Sequence, residues 1–447
     1  MSYYELLYNG HYDELVKQTL PLLSSDKDAE CAFLRLFMQK PAILLLCPHT
    51  MMQDLFEEAD KGNKYALYAV ARRVAFEAET ENAPWVSFRH MEAAAEQGLP
   101  DALAGLAMCY EFGDLGSVDR SKADTLLSQA IEKGSELAKM YTVKDLCFGR
   151  RFKPAQPERA LEMVNRLIAE DIAQNRPVNG LWYYYKACAL EMQCGRIQAV
   201  EDYKKALDLG VLNAYTDLLL AAGYGDGEEA FTPTENYQQY LLQGMKKRFY
   251  GAFYMNGILL MERYYALENA YREQGIRATS SVHEILHDIH ESIHAQFSRA
   301  ARLGDSTAYE QLGDMYYEGS YGFEQNYEKA FTCYSCGVER DGVGSMEKLW
   351  KMMHRHLIDR PLEYVDQVAL WGARHESKLL LAEVVIAKQE GRLAEYADEI
   401  EHYYEPLFDA PEFTLDNDED WRVTIDDLLN DPDESEPDDD GRWDAYV

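Results

Sequence analysis

A glycine recurs at the end of successive apolar, helix-period segments: Gly62, Gly98, Gly134, Gly210, Gly244 and Gly304. The first three are 36 residues apart. The 76 residues from Gly134 to Gly210 fit two units with a degenerate boundary near Gln174–Asn175. Gly244 follows after 34 residues and Gly304 after a further 60, so the last of these units carries an insertion. A period of this length means that each unit is one supersecondary element, unable to bury its apolar face without its neighbours. The 447 residues therefore read as one array with a continuous core, where length alone suggests two or three domains.

Small residues flank the glycines in register. An alanine follows four residues later at Ala66, Ala102, Ala138, Ala214 and Ala308, and one precedes by four at Ala94, Ala130, Ala206 and Ala300. Gly ends one helix in a left-handed cap, and the alanines let the next helix pack closely against it. Within the units, Ala308-x3-Leu312-Gly313-x2-Tyr316-x2-Gly319 is matched by Ala102-x3-Leu106-Ala107-x2-Tyr110-x2-Gly113, with weaker versions over 138–149 and 214–223. A loop follows, then Asp119-x2-Lys122-Ala123 or Asn326-x2-Lys329-Ala330, each opening a second helix. On these residues the chain resembles the Sel1-like repeats, relatives of the tetratricopeptide repeat with a longer inter-helix loop. The resemblance covers about two-thirds of the chain: strong at 101–123 and 306–330, fair at 64, 135 and 211, poor at 245. It implies an all-α fold, a right-handed α/α superhelical solenoid whose first helices line a concave face. The expected organisation is a helical cap over 1–61, a repeat array over 62–360 with a helical insertion near 258–297, a terminal helical repeat over 361–404 and an acidic, partly disordered tail over 405–447.

Charge narrows the function. There are 78 acidic against 44 basic residues, a formal −34. Such a chain is repelled by phosphate backbones and by anionic membrane surfaces, so neither nucleic acid nor membrane is an expected partner, and basic proteins or peptides are favoured. The longest apolar run, residues 42–47, is far below the roughly 20 residues a bilayer requires. The N-terminus shows no basic segment followed by an apolar stretch, and eight cysteines are too sparse for a disulfide framework, so the expected location is cytoplasmic. The tail holds 17 acidic and 2 basic residues and so carries −15 of the charge. It reads as a solvated segment with one amphipathic stretch, residues 421–429, and as a solubiliser or a self-occluding peptide.

The sharpest chemical motif is His283-Glu284-x-x-His287, extended by His290 and His294. At 100° per residue the four imidazoles fall within about 60° of one helix face. His-Glu-x-x-His is the zinc-hydrolase pattern, two imidazoles one turn apart with the glutamate as base. The continuation departs from the longer metzincin pattern, and Ile285, Leu286, Ile289, Ile293 and Phe297 form an apolar face beside it. A polar stripe on a packed helix is therefore the reading preferred over metal binding or hydrolysis, and no cofactor is expected. Cys333-x-x-Cys336 lies inside a repeat helix and reads as packing. Tyr224-Gly-Asp-Gly227 lacks the third glycine of a phosphate loop. Arg150-Arg151 and Lys246-Lys247-Arg248 are basic islands that read as solvated faces or partners for carboxylates.

By the same resemblance, ligand contacts fall on the first helix of each unit. The expected concave set is Tyr65, Tyr68 and Arg72; Asp101, Met108 and Glu111; Met140 and Lys144; Asn213 and Thr216; and Thr307, Glu310, Asp314 and Tyr317. The functional expectation is a non-catalytic scaffold or regulator that binds a protein or peptide, one with a basic surface, in an acidic, tyrosine-bearing groove. The rivals are a metal-dependent hydrolase using the histidine helix and an acidic inhibitor or immunity-type protein directed at a basic toxin or nuclease.

Overall fold

In a computed structural model the described residues are 1–38, 49–74, 83–114, 118–226, 233–273 and 280–408. Residues 42–47, Gly227 and most of the acidic tail, including its 421–429 stretch, lie outside them. Among the described residues the fold is all-α, with one isolated bridge between Arg150 and Lys153.

The chain opens with α1 (Tyr3–Tyr8), α2 (Tyr12–Thr19), α3 (Lys27–Met38) and α4 (His49–Asp60). Antiparallel pairs follow: α5 (Lys64–Val74) with α6 (Ala83–Glu96), and α7 (Pro100–Phe112) with α8 (Arg120–Glu132). Next come α9 (Glu136–Phe148) with α10 (Pro157–Ala173), α11 (Gly180–Cys194) with α12 (Arg196–Asp208), and α13 (Ala214–Tyr224) with α14 (Glu235–Lys246). Then come α15 (Tyr250–Glu273) with α16 (Ser280–Arg302), and α17 (Ser306–Glu318) with α18 (Tyr327–Val338). The remaining helices are α19 (Val343–His354), α20 (Leu362–Arg374), α21 (Lys378–Gln389), α22 (Ala397–Tyr403) and α23 (Glu405–Phe408). The chain forms two compact units, residues 1–345 and 346–447, with the division inside α19.

The punctuation is local. Gly113 and Gly319 end α7 and α17 at φ +67° and +72°, and the second helices α8 and α18 begin where Asp119 and Asn326 accept the backbone N–H of Lys122 and Lys329. Unit boundaries carry a left-handed residue: Gly62, Gly98, Gly134, Gly210 and Gly304 all have φ between +81° and +98°. Asn175 takes that role at the degenerate boundary, with φ +54°. One assignment changes. Gly244 does not close its unit; it is buried within α14, where a Cβ would meet Ala252 at 2.7 Å and the Tyr215 ring at 3.5 Å. The left-handed position falls four residues later, at Arg248, with φ +55°. The insertion is equally specific: both helices of one pair are lengthened, α15 to 24 and α16 to 23 residues, against 11 to 13 for α5, α7 and α17.

One apolar core runs from Tyr4 through Trp182 to Phe249, and a second joins α15, α16 and α17 around Phe253, Ile293, Phe297 and Leu312. Unit 346–447 buries its own apolar residues, among them Trp350, Leu370, Leu381 and Ile400, and a buried ion pair: Arg374 donates to both oxygens of Glu399, at 2.9 and 2.8 Å. Arg392 there bridges Asp366 and Glu383.

Candidate interaction surface

The first helices of the pairs are α5, α7, α9, α11, α13, α15 and α17, and the expected concave residues lie on them, except Asn213, which is the N-cap of α13. The structure divides these residues sharply. Tyr65, Tyr68, Asp101, Glu111, Met140 and Asn213 are buried, Tyr68 completely, so in this conformation they meet protein and not a ligand. Tyr65 donates to Glu30 at 2.9 Å, and Arg72 Nε donates to the Phe37 carbonyl at 2.9 Å, so both are engaged by α3. Arg72 also reaches the Tyr141 hydroxyl on α9 at 3.2 Å. Met108 packs partly buried against the core.

Asp101 accepts from Ser135, the N-cap of α9, at 2.5 Å, while its other oxygen has no hydrogen-bond partner. Burial pushes its carboxyl up to about 6, against the opposing hydrogen bond from Ser135. Glu111 is the hub of the first basic island: Arg150 Nη2 and Arg151 Nη2 both lie 2.5 Å from its Oε2. Burial raises the Glu111 pKa, and these two guanidiniums outweigh burial, so the carboxyl titrates below its ordinary value. Arg150-Arg151 is thus a partner for carboxylates, with Asp124 and Asp145 completing the cluster.

The N-terminal helices also reach units much further along the chain. Arg35 of α3, 3% exposed, forks onto Glu136 at the start of α9 with two bonds of 2.9 Å. Its NH1 donates to the Pro177 carbonyl at 2.6 Å, and Asp171 lies 3.5 Å away. Around this knot Asp171 accepts from Trp182 Nε1 and Arg176, and Asn179 donates to Glu136. Burial raises the Glu136 pKa, and Arg35 outweighs it, holding the carboxyl below its usual range. Tyr8 at the end of α1 covers the Gly210 turn: a Cβ on Gly210 would lie 3.1 Å from the Tyr8 backbone. The inner ends of α5, α9 and α11 are therefore closed by the chain's own first helices.

Towards the other end the first helices are less covered. Lys144 is exposed. On α13, Asn213 accepts from Tyr250 at 3.4 Å and Thr216 abuts Gly251. On α17, Thr307 is exposed and Glu310, Asp314 and Tyr317 are half-buried, the four forming one stripe at helical spacing. Asp314 accepts from Tyr334 at 2.8 Å, and Glu310 sits against Gly344.

The histidine helix is α16. His283, Glu284 and His287 point to solvent, whereas His290 packs edge-on against Phe323, ring centroids 4.4 Å apart. His290 Nδ1 lies 3.1 Å from the Tyr321 carbonyl and so carries the proton of that bond. His294 is half-buried beside Phe323, and burial lowers its pKa. Among the described residues no three His, Cys, Asp or Glu side chains are grouped to hold a metal ion. The described cysteines are free thiols, and burial raises Cys333 to about 12, which leaves it protonated and unreactive. No described helix is long and apolar enough to cross a membrane.

Helix pairs stacked in sequence, each closed by a left-handed residue, define an α-solenoid of helix–turn–helix repeats. No family model matches the chain. A 78-residue stretch is 40% identical to a Sel1-like repeat-containing protein of Schizosaccharomyces pombe, over 17% of this chain and 11% of that protein. The match thus spans about a tenth of the relative's length. Among solved structures the chain is similar to a Sel1 repeat protein from Oxalobacter formigenes (18% identity, TM-score 0.32, 76% of this chain and 92% of that one). It is also similar to c5321, a protective antigen present in uropathogenic Escherichia coli strains displaying an SLR fold (17% identity, TM-score 0.31, 85% and 75%).

Proposed function

We propose that this protein is a non-catalytic interaction scaffold that docks a protein or peptide with a basic surface on the inner face of its later repeats. The observation that carries this reading is the division of that face. Over α5, α9 and α11 it is consumed by α3 and the Arg35 knot, whereas on α17 Thr307, Glu310, Asp314 and Tyr317 stay partly accessible in one stripe. Two carboxylates with a tyrosine between solvent and core offer charge for steering and a large contact area with a polar tip. The net charge of −34 adds a long-range attraction for a cationic partner. Among the described residues the exposed His283 and His287 have no third ligand beside them, which favours a surface role over hydrolysis.

The test is binding of a fluorescent Lys/Arg-rich peptide to the full chain, compared with Glu310→Gln/Asp314→Asn/Tyr317→Ala. The triple variant should bind at least about tenfold more weakly, a difference of about 1.4 kcal/mol. Unchanged affinity in a variant with unchanged thermal unfolding rejects the surface. Near-stoichiometric zinc in the purified protein would instead favour the hydrolase reading.

A further inference from the structure

Among the described residues the second basic island has no carboxylate partner. Arg150-Arg151 is neutralised by Glu111, Asp124 and Asp145, whereas Lys246, Lys247 and Arg248 are exposed and make no ion pair. They line a cleft of about 200 Å³ whose other walls are Tyr8, Asn9, Gly10, Tyr12 and Leu212. Three cations and no carboxylate form this lining, in a chain where acidic residues outnumber basic ones 78 to 44.

The backbone adds an independent point. Arg248 occupies the left-handed position of its repeat, φ +55°, where five other boundaries place glycine and two place Asn175 and Asp341. A side chain at that position is strained and glycine is not. Arg248 thus places its side chain at the mouth of a cationic cleft from a conformation that glycine would adopt without strain. The ordinary role of cations here, complementing the carbonyl end of α14, is already available to Lys246 and Lys247 and does not require a strained arginine.

We propose that this cleft is a docking site for an acidic peptide segment of a partner, with Asp or Glu side chains entering between the 246–248 turn and the Tyr8–Tyr12 turn. Size selects the ligand class: small-molecule sites span about 300–1,000 Å³, and this cleft admits one or two side chains. Guanidinium and ammonium groups pair with carboxylates, and the half-buried Tyr8 ring supplies contact area beside them. Repulsion from the distant acidic surface is screened beyond about 8 Å at physiological salt, so the local triad sets the sign. The site is opposite in charge to the α17 stripe and rests on different residues, so either assignment can fail without the other.

The experiment is fluorescence anisotropy of a labelled Asp/Glu-rich peptide with the full chain, beside its Asn/Gln counterpart, with thermal unfolding measured for every variant. The acidic peptide should bind and the neutral one should not. Lys246→Gln/Lys247→Gln/Arg248→Gln should weaken binding at least about tenfold. Arg248→Gly is the decisive variant: it should weaken binding severalfold while Tm holds or rises, because the strained residue is removed. Equal binding of the neutral peptide, unchanged affinity in the triple variant, or binding of inorganic phosphate without binding of the peptide would each overturn the proposal. So would a fall in Tm for Arg248→Gly, which would make the arginine a structural residue.

Discussion

Two polar clusters in the first unit do contrasting work. The Arg35 knot joins α3 to the starts of α9 and α11 across 101 to 142 residues of sequence, and its members are largely withdrawn from water. The His290 cluster joins α16 to the loop before α18 across 31 residues, with one wall open to solvent. The knot forms only when several repeats are stacked in register; the brace needs just its own neighbour. A repeat array held solely by adjacent contacts frays from its ends, so the knot supplies what nearest-neighbour packing lacks.

The largest effect should come from breaking the knot. Arg35→Ala takes the forked partner from the buried Glu136 and leaves Arg176 as the one remaining cation beside Asp171 and Glu136, and removing one partner of a buried pair costs about 3–5 kcal/mol. Chemical denaturation should show the midpoint falling; a change below about 1 kcal/mol would remove the knot from any structural role. The brace should matter less. His290→Ala loses the Phe323 packing and the bond to Tyr321, a cost of about 1–2 kcal/mol, with proteolysis near 319–326 as the local readout. A comparable loss for both variants would erase the distinction between a long-range and a local cluster.

The smallest effect has the opposite sign. Asp101 is raised to about 6 in the folded chain and titrates near 4 when unfolded. A raised carboxyl binds its proton more tightly in the native state, so its contribution to stability grows as pH falls from about 6 to 4 and is lost above about 6. Asp101→Asn should therefore stabilise the protein by about 1 kcal/mol at pH 7, and the difference from wild type should shrink below pH 5. Denaturation at both pH values checks this; a variant less stable at pH 7 would mean that the charged form is wanted at the Ser135 contact.

The repeat was legible because its signals are local: a left-handed residue, an alanine four positions on, an Asp or Asn opening the second helix. Gly244 misled for a physical reason. Glycine serves close helix packing as well as left-handed turns, and here it approaches Tyr215 and Ala252 while Arg248 takes the turn. Six of the residues expected to face a ligand are buried, and that burial was not foreseeable from the repeat pattern. Closure of α3 onto α9 joins segments more than 100 residues apart and leaves no periodic trace. Its one signal is Arg35 within Ala32-Phe-Leu-Arg-Leu-Phe-Met38, a lone charge in an apolar run, which demands a buried partner. The histidine face was legible as a stripe, and Phe323 as its partner was not, because loop residues carry no helical register.

Backbone hydrogen exchange of the full chain, wild type against Arg35→Ala, tests the closure most directly. Protection should fall together in residues 27–38, 136–148 and 180–194, while 306–318 stays unchanged. Loss confined to 27–38 would contradict closure by the first helices and leave the inner face of the early repeats open.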